Sequence, residues 1–100
     1  MPRPRKRRRL MHRPQSVIFN PIGSPLRPAS NIVVLPEEFE ALRLVDMEGL
    51  YQEDAAKQMG ISRSALQRTV AEARYKVAKA LLKQVGLQIN GTSLDHIQGK

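Results

Sequence analysis

The sequence contains no cysteine. Disulfides and thiolate metal sites are therefore excluded. No apolar run approaches the roughly 20 residues that a membrane-spanning helix requires. The N-terminus is basic, but no apolar stretch follows it as a signal peptide would demand, so a cytoplasmic protein that does not engage a membrane is expected. Catalytic hardware is missing too: there is no Gly-rich phosphate loop, nucleophile elbow or metal motif, and an enzyme is not expected. His12 and His96 each stand alone, without carboxylate companions at ligand spacing. Neither a metal nor another cofactor is expected. Glu37, Glu38 and Glu40 invite comparison with an acid–base cluster, but they read better as a helix start and a solvated face. There is no internal repeat.

Acid is scarce where base is dense. The chain holds 17 Lys plus Arg against 9 Asp plus Glu, a formal net charge of +8 over 100 residues. That length allows one small domain with tails, and that charge points to a polyanionic partner. Residues 1–14 carry Arg3, Arg5, Lys6, Arg7, Arg8, Arg9 and Arg13 and no acid. Most of the acids fall in residues 36–60, and residues 61–84 are again basic with Glu72 as their lone acid. A basic arm, an acidic scaffold and a basic helix make a polarised layout.

The arm, residues 1–16, is expected to be disordered when free, because like charges repel and prolines block regular structure. Residues 17–35 read as an irregular segment with short strands. Val17-Ile18-Phe19 and Ile32-Val33-Val34-Leu35 are brief apolar runs on either side of a loop rich in proline. Residues 36–89 form the expected helical domain. A first helix starts at Pro36, with Glu37 and Glu38 near the positive end of its dipole, and stops at Gly49. Phe39, Leu42 and Val45 recur at helical spacing and are expected in the core. A second helix covers about 52–59. A third starts near Ser62 and meets no breaker before Gly86, a length on the order of 35 Å. Its apolar stripe is Leu66, Val70, Ala73, Val77 and Leu81. Leu87-Gln88-Ile89 suits a short strand pairing with Ile32–Leu35, and residues 90–100 read as a flexible tail. The expected class is all-α, with the short strands as a minor addition.

The stretch Gln52 to Val70 has the spacing of a helix-turn-helix. Ala56 is small where two helices cross closely. Gly60 suits a left-handed helix end, Ile61 is the apolar residue of the turn, and Ser62 is a good N-cap. Leu66 and Val70 anchor the third helix, four residues apart on one face. Arg63, Ser64, Gln67 and Arg68 are left facing outward. Arg suits guanine O6/N7 and Gln suits adenine N6/N7 in the major groove, while Ser62 is expected first to cap the helix, with contact to a phosphate as the lesser alternative.

Together these segments resemble the prokaryotic UPF0251 (DUF134) family of predicted DNA-binding proteins. The resemblance covers about residues 2–90. It is carried by P-R-P-R-K at 2–6, F-N-P-I-G at 19–23, E-E-F-E-A-L-R-L-V-D-M-E-G-L at 37–50, Q-E-D-A-A-K-Q-M-G-I-S-R at 52–63 and A-R-Y-K-V-A-K-A-L at 73–81. The helical core is similar to region 4 of bacterial sigma factors. The resemblance implies DNA binding, transcriptional regulation and, through the sigma likeness, contact with RNA polymerase. Tyr51 departs from the pattern, since Ser, Thr or Asp usually opens the second helix, and the lost cap should cost about 1 kcal/mol. Some longer relatives carry a C-terminal domain with cysteines or a metal-cofactor-binding fold; no such segment is seen in this sequence, so a sensing role has no visible hardware and any effector is left open.

The reading is sequence-specific binding of double-stranded DNA at the nucleoid. Ser62, Arg63, Ser64, Gln67 and Arg68 serve the major groove. Arg3, Arg5, Lys6, Arg7, Arg8, Arg9, Tyr51 and Arg74 serve the backbone or minor groove. Acidic residues of the first helix are expected to face away from DNA. Lys79 and Lys83 read as a solvated face. The exposed end of the third helix is expected to support a homodimer. Three alternatives stay open: an RNA binder, a nonspecific nucleoid-type binder, and a protein-interaction module docking on RNA polymerase or an anti-sigma factor.

Overall fold

The computed structural model describes residues 16–89. The expected arm, apart from Ser16, and the expected tail therefore lie outside the described residues.

Helix α1 spans Pro36–Leu42 and opens with proline at its first turn. Glu38 closes that turn, since its Oε1 accepts the Leu35 N–H at 2.9 Å. The helix then widens into a π turn over Arg43–Met47, closed by Glu48 N–H donating to the Arg43 carbonyl at 2.8 Å. Helix α2 spans Gln52–Met59 and is preceded by an extended Tyr51 whose side chain makes no capping bond. Gly60 ends it with φ 73°, a left-handed conformation that glycine adopts without a Cβ penalty. Ile61 N–H then donates back to the Ala56 carbonyl. Helix α3 spans Arg63–Lys83, with Ser62 Oγ accepting the Ala65 N–H at 3.0 Å. It stops before Gly86: Gln84 takes the left-handed conformation at φ 58°.

The expected all-α class is corrected. Strands β1 (Val17–Phe19), β2 (Ile32–Val34) and β3 (Leu87–Ile89) form one mixed sheet in the order β1-β3-β2. β3 runs antiparallel to β1, with Val17 opposite Ile89, and parallel to β2, with Ile32 opposite Leu87. The sheet is structural, since β2 packs on α3 and Val34 and Ile89 are buried. Gly86 permits the close approach that starts β3. A Cβ there would sit 2.2 Å from Asn31 Oδ1.

Ala41, Leu44, Ala55, Ala56, Met59, Leu66 and Val70 form the main core, with Val45, Leu50 and Ile61 packed against it. Two expectations about facing are corrected. Phe39 and Leu42 are only half-buried, whereas Glu38 and Glu40 are buried. The carboxylates go inward because bonds wait for them. Glu38 takes the Leu35 N–H and Lys76 Nζ, the latter at 2.7 Å, while Glu40 is held by two Arg43 bonds of 3.0 and 2.8 Å. The picture of a solvated acidic face on the first helix therefore fails for these two residues. Leu81, expected in the apolar stripe, is 71% exposed, and Ala80 takes the inward position. Leu81 lies within about 20° of Val70 in bearing, so rotation does not expose it; it lines an open groove beside α1.

Candidate nucleic-acid interface

The α2–turn–α3 unit fixes one group of side chains. Leu66 and Val70 are nearly inaccessible and pin the first half of α3 against α2. Each residue advances the helix by about 100°. With those two facing inward, Ser64 and Arg68 point away from the core, Gln67 stands at the flank, and Arg63 is exposed at the first residue of the helix. All four are exposed, as is Ser62. The predicted readers are thus brought onto one solvent-facing surface within the first turns of α3. Among the described residues, the side chains of Arg63, Ser64, Gln67 and Arg68 make no hydrogen bond or ion pair. Their donors and acceptors are open to a ligand, while Ser62 is engaged as the cap.

Tyr51 stands at the opening of α2 with 82% of its surface exposed. Its ring has left the core, and its hydroxyl faces water. Arg74 lies eleven residues beyond Arg63, close to three full turns, and so on a similar face of α3. Unlike Arg63, it is engaged: Nη2 and Nε meet the Asp46 carboxylate at 2.6 and 3.1 Å. Hydrogen bonding from Arg74 holds the Asp46 carboxyl below the ordinary aspartate range. Lys76 is tied to the buried Glu38, and Lys79 lies over the Tyr75 ring at 5.6 Å. Of the basic residues on α3, Arg63 and Arg68 are the ones delivered to solvent beside Gln67.

The arm residues Arg3, Arg5, Lys6, Arg7, Arg8 and Arg9 lie outside the described residues. Two ion pairs escape a sequence reading. Asp46–Arg74 spans 28 positions and Glu38–Lys76 spans 38, so no local spacing announces either. Glu40–Arg43 sits at helical spacing and is open to sequence reading. Among the described residues there is no group of three or more His, Asp or Glu able to hold a metal ion, and no helix is long and apolar enough to cross a membrane.

Comparison with known proteins places the sequence among relatives. A family model described as a protein of unknown function, DUF134, matches residues 1–96. A UPF0251 protein of Vibrio parahaemolyticus is 49% identical over 83 residues, covering 83% of this chain and 86% of that protein. One from Dehalococcoides mccartyi is 50% identical over 91 residues, covering 91% and 78%. One from Desulforudis audaxviator is 44% identical over 97 residues, and the chain spans only 63% of its length. No solved structure matches.

Proposed function

The chain belongs to the DUF134 (UPF0251) family, and from its own surface we propose that it binds double-stranded DNA sequence-specifically and acts as a transcriptional regulator at the nucleoid. One observation carries the reading. The α2–turn–α3 unit presents Arg63, Ser64, Gln67 and Arg68 together, exposed and unengaged by the described residues, on a helix held rigid from behind by Leu66 and Val70. A rigid helix with bidentate donors on its first turns fits the width of a major groove. The basic arm supplies phosphate or minor-groove contacts that raise affinity and make it salt-dependent. A further contribution comes from Tyr51, whose exposed hydroxyl can donate to a phosphate.

Selection of bound duplexes from a randomised DNA pool at physiological salt tests the proposal. Wild type is run beside an Arg63→Ala/Gln67→Ala/Arg68→Ala variant. A motif enriched by wild type and lost by the variant supports readout by α3. Equal binding by both proteins with no motif rejects it and favours a nonspecific electrostatic binder. Tighter binding to RNA hairpins than to any duplex moves the function to RNA.

A further inference from the structure

α1, the π turn and the second half of α3 enclose an open groove of about 860 Å³. Its apolar walls are Phe39, Leu42, Met47, Val77, Ala78 and Leu81. Leu81 also lines a neighbouring hollow with Phe19 and Ile22 from the segment around β1. Apolar surface therefore continues from Met47 across α3 to Ile22. Met47 and Leu81 are each 71% exposed and Phe19 is 60% exposed. A contiguous apolar surface of this kind marks an interface rather than a solvated face.

We infer that a second copy of this chain covers the groove, with α3 packed antiparallel against its counterpart about a two-fold axis near Ala78. Charge is the first reason. In a chain of net charge +8, the groove is rimmed by Arg43, Arg74 and Asp46, with Arg43 also bonded to Glu48. Both signs are present and already paired, so the rim offers nothing to hold a polyanion. It is self-complementary, as an isologous contact requires. The second reason is shape. Ala78 is the smallest side chain in the groove, with Val77 and Leu81 beside it. A small residue between larger ones lets two helix axes approach to the usual 8–10 Å.

The third reason is span, and this part alone rests on the DNA reading above. The readers of α3 centre 12 to 13 residues before Ala78, about 19 Å along the axis. An antiparallel pair doubles that to about 38 Å, close to the roughly 34–36 Å between half-sites one turn apart on B-DNA. The pair would recognise an inverted repeat with half-sites one helical turn apart.

The absence of cysteine makes one introduced thiol an unambiguous reporter. The full-length chain, without DNA, is expected to sediment as a dimer at high micromolar concentration. Leu81→Glu should weaken association by about tenfold or more while leaving helical circular dichroism unchanged. Under mild oxidation Ala78→Cys should form a disulfide-linked dimer, and Ser64→Cys, at the far end of α3, should not. The cysteine variants carry the test if Leu81→Glu does not fold. A monomer throughout, with and without DNA, overturns the inference and leaves the groove to a different protein. So does a dimer that survives Leu81→Glu, or one in which Ser64→Cys links as readily as Ala78→Cys. A dimer that enriches no DNA motif defeats the DNA reading and keeps the interface. A single half-site bound by a monomer does the reverse.

Discussion

Arg74 reaches back from α3 to grip Asp46 with two hydrogen bonds, tying the middle of that helix to the π turn that ends α1. Both side chains are substantially exposed, at 52% and 42%. The pair is therefore worth no more than the fraction of a kilocalorie typical of surface ion pairs, and salt weakens it further. Its greater interest is that it occupies the cation nearest in bearing to the reading face. Asp46→Asn is expected to free Arg74, tighten DNA binding and steepen its salt dependence by about one phosphate, whereas Arg74→Ala should change affinity and motif little, because Asp46 already holds the guanidinium in wild type. Titration of duplex binding at several salt concentrations measures both.

The same pair sets a pH dependence. Because the folded Asp46 pKa is depressed, its small contribution is present above the unfolded pKa. It is lost as pH falls through the folded value. An NMR titration should place the Asp46 carboxyl below the ordinary range in wild type and return it upward in Arg74→Ala.

Glu38 and Lys76 form a pair of a different kind, with side chains only 8% and 18% exposed. Removing one partner strands a charge in the interior. Lys76→Met is expected to cost about 3 kcal/mol, enough to lower the melting temperature by more than about 10 °C. The double variant Glu38→Gln/Lys76→Met should recover part of that loss. Thermal unfolding by circular dichroism compares the three proteins, and a Lys76→Met protein as stable as wild type would defeat the argument.

Gly60 holds φ at 73° between α2 and α3. Gly60→Ala forces a Cβ into that conformation at about 1–2 kcal/mol. A loss of that size in chemical denaturation, with DNA affinity falling by more than the unfolded fraction explains, would show that the α2–α3 angle has moved as well.

Tyr51 poses stability against contact. Tyr51→Ser restores a capping oxygen and should stabilise the chain by about 1 kcal/mol while weakening DNA binding. Tyr51→Phe should leave stability alone and reduce affinity through the missing hydroxyl. If Tyr51→Phe binds as wild type does, the phosphate contact is discarded.

Legibility from sequence tracks the range of the interactions. Gly60, Ser62, Leu66 and Val70 announce their roles because cap, turn and anchor are local events, settled within a few residues. The exposure of Arg63, Ser64, Gln67 and Arg68 comes from the same short window. The sheet is harder to read. The three short apolar runs and the pairing of β3 with β2 are expected, but strands of three residues carry too little period to establish a class, and the pairing of β1 with β3 is not anticipated. Glu38 and Glu40 mislead for a physical reason. Carboxylates are normally solvated, and what draws these inward is Lys76 from another helix and a bidentate Arg43. Phe39 and Leu42 obey helical spacing but line a groove that stays open among the described residues.

The strand order has a consequence for how the protein is made. β1 and β2 do not pair with each other; each pairs with β3. A ribosome synthesises β1 and β2 early and β3 after α3, so the sheet cannot close until Ile89 has emerged. The polycation ahead of β1 is thus made well before the strand it leads into can pair. A nascent chain halted before Leu87 would carry that charge beside two strands with no partner between them.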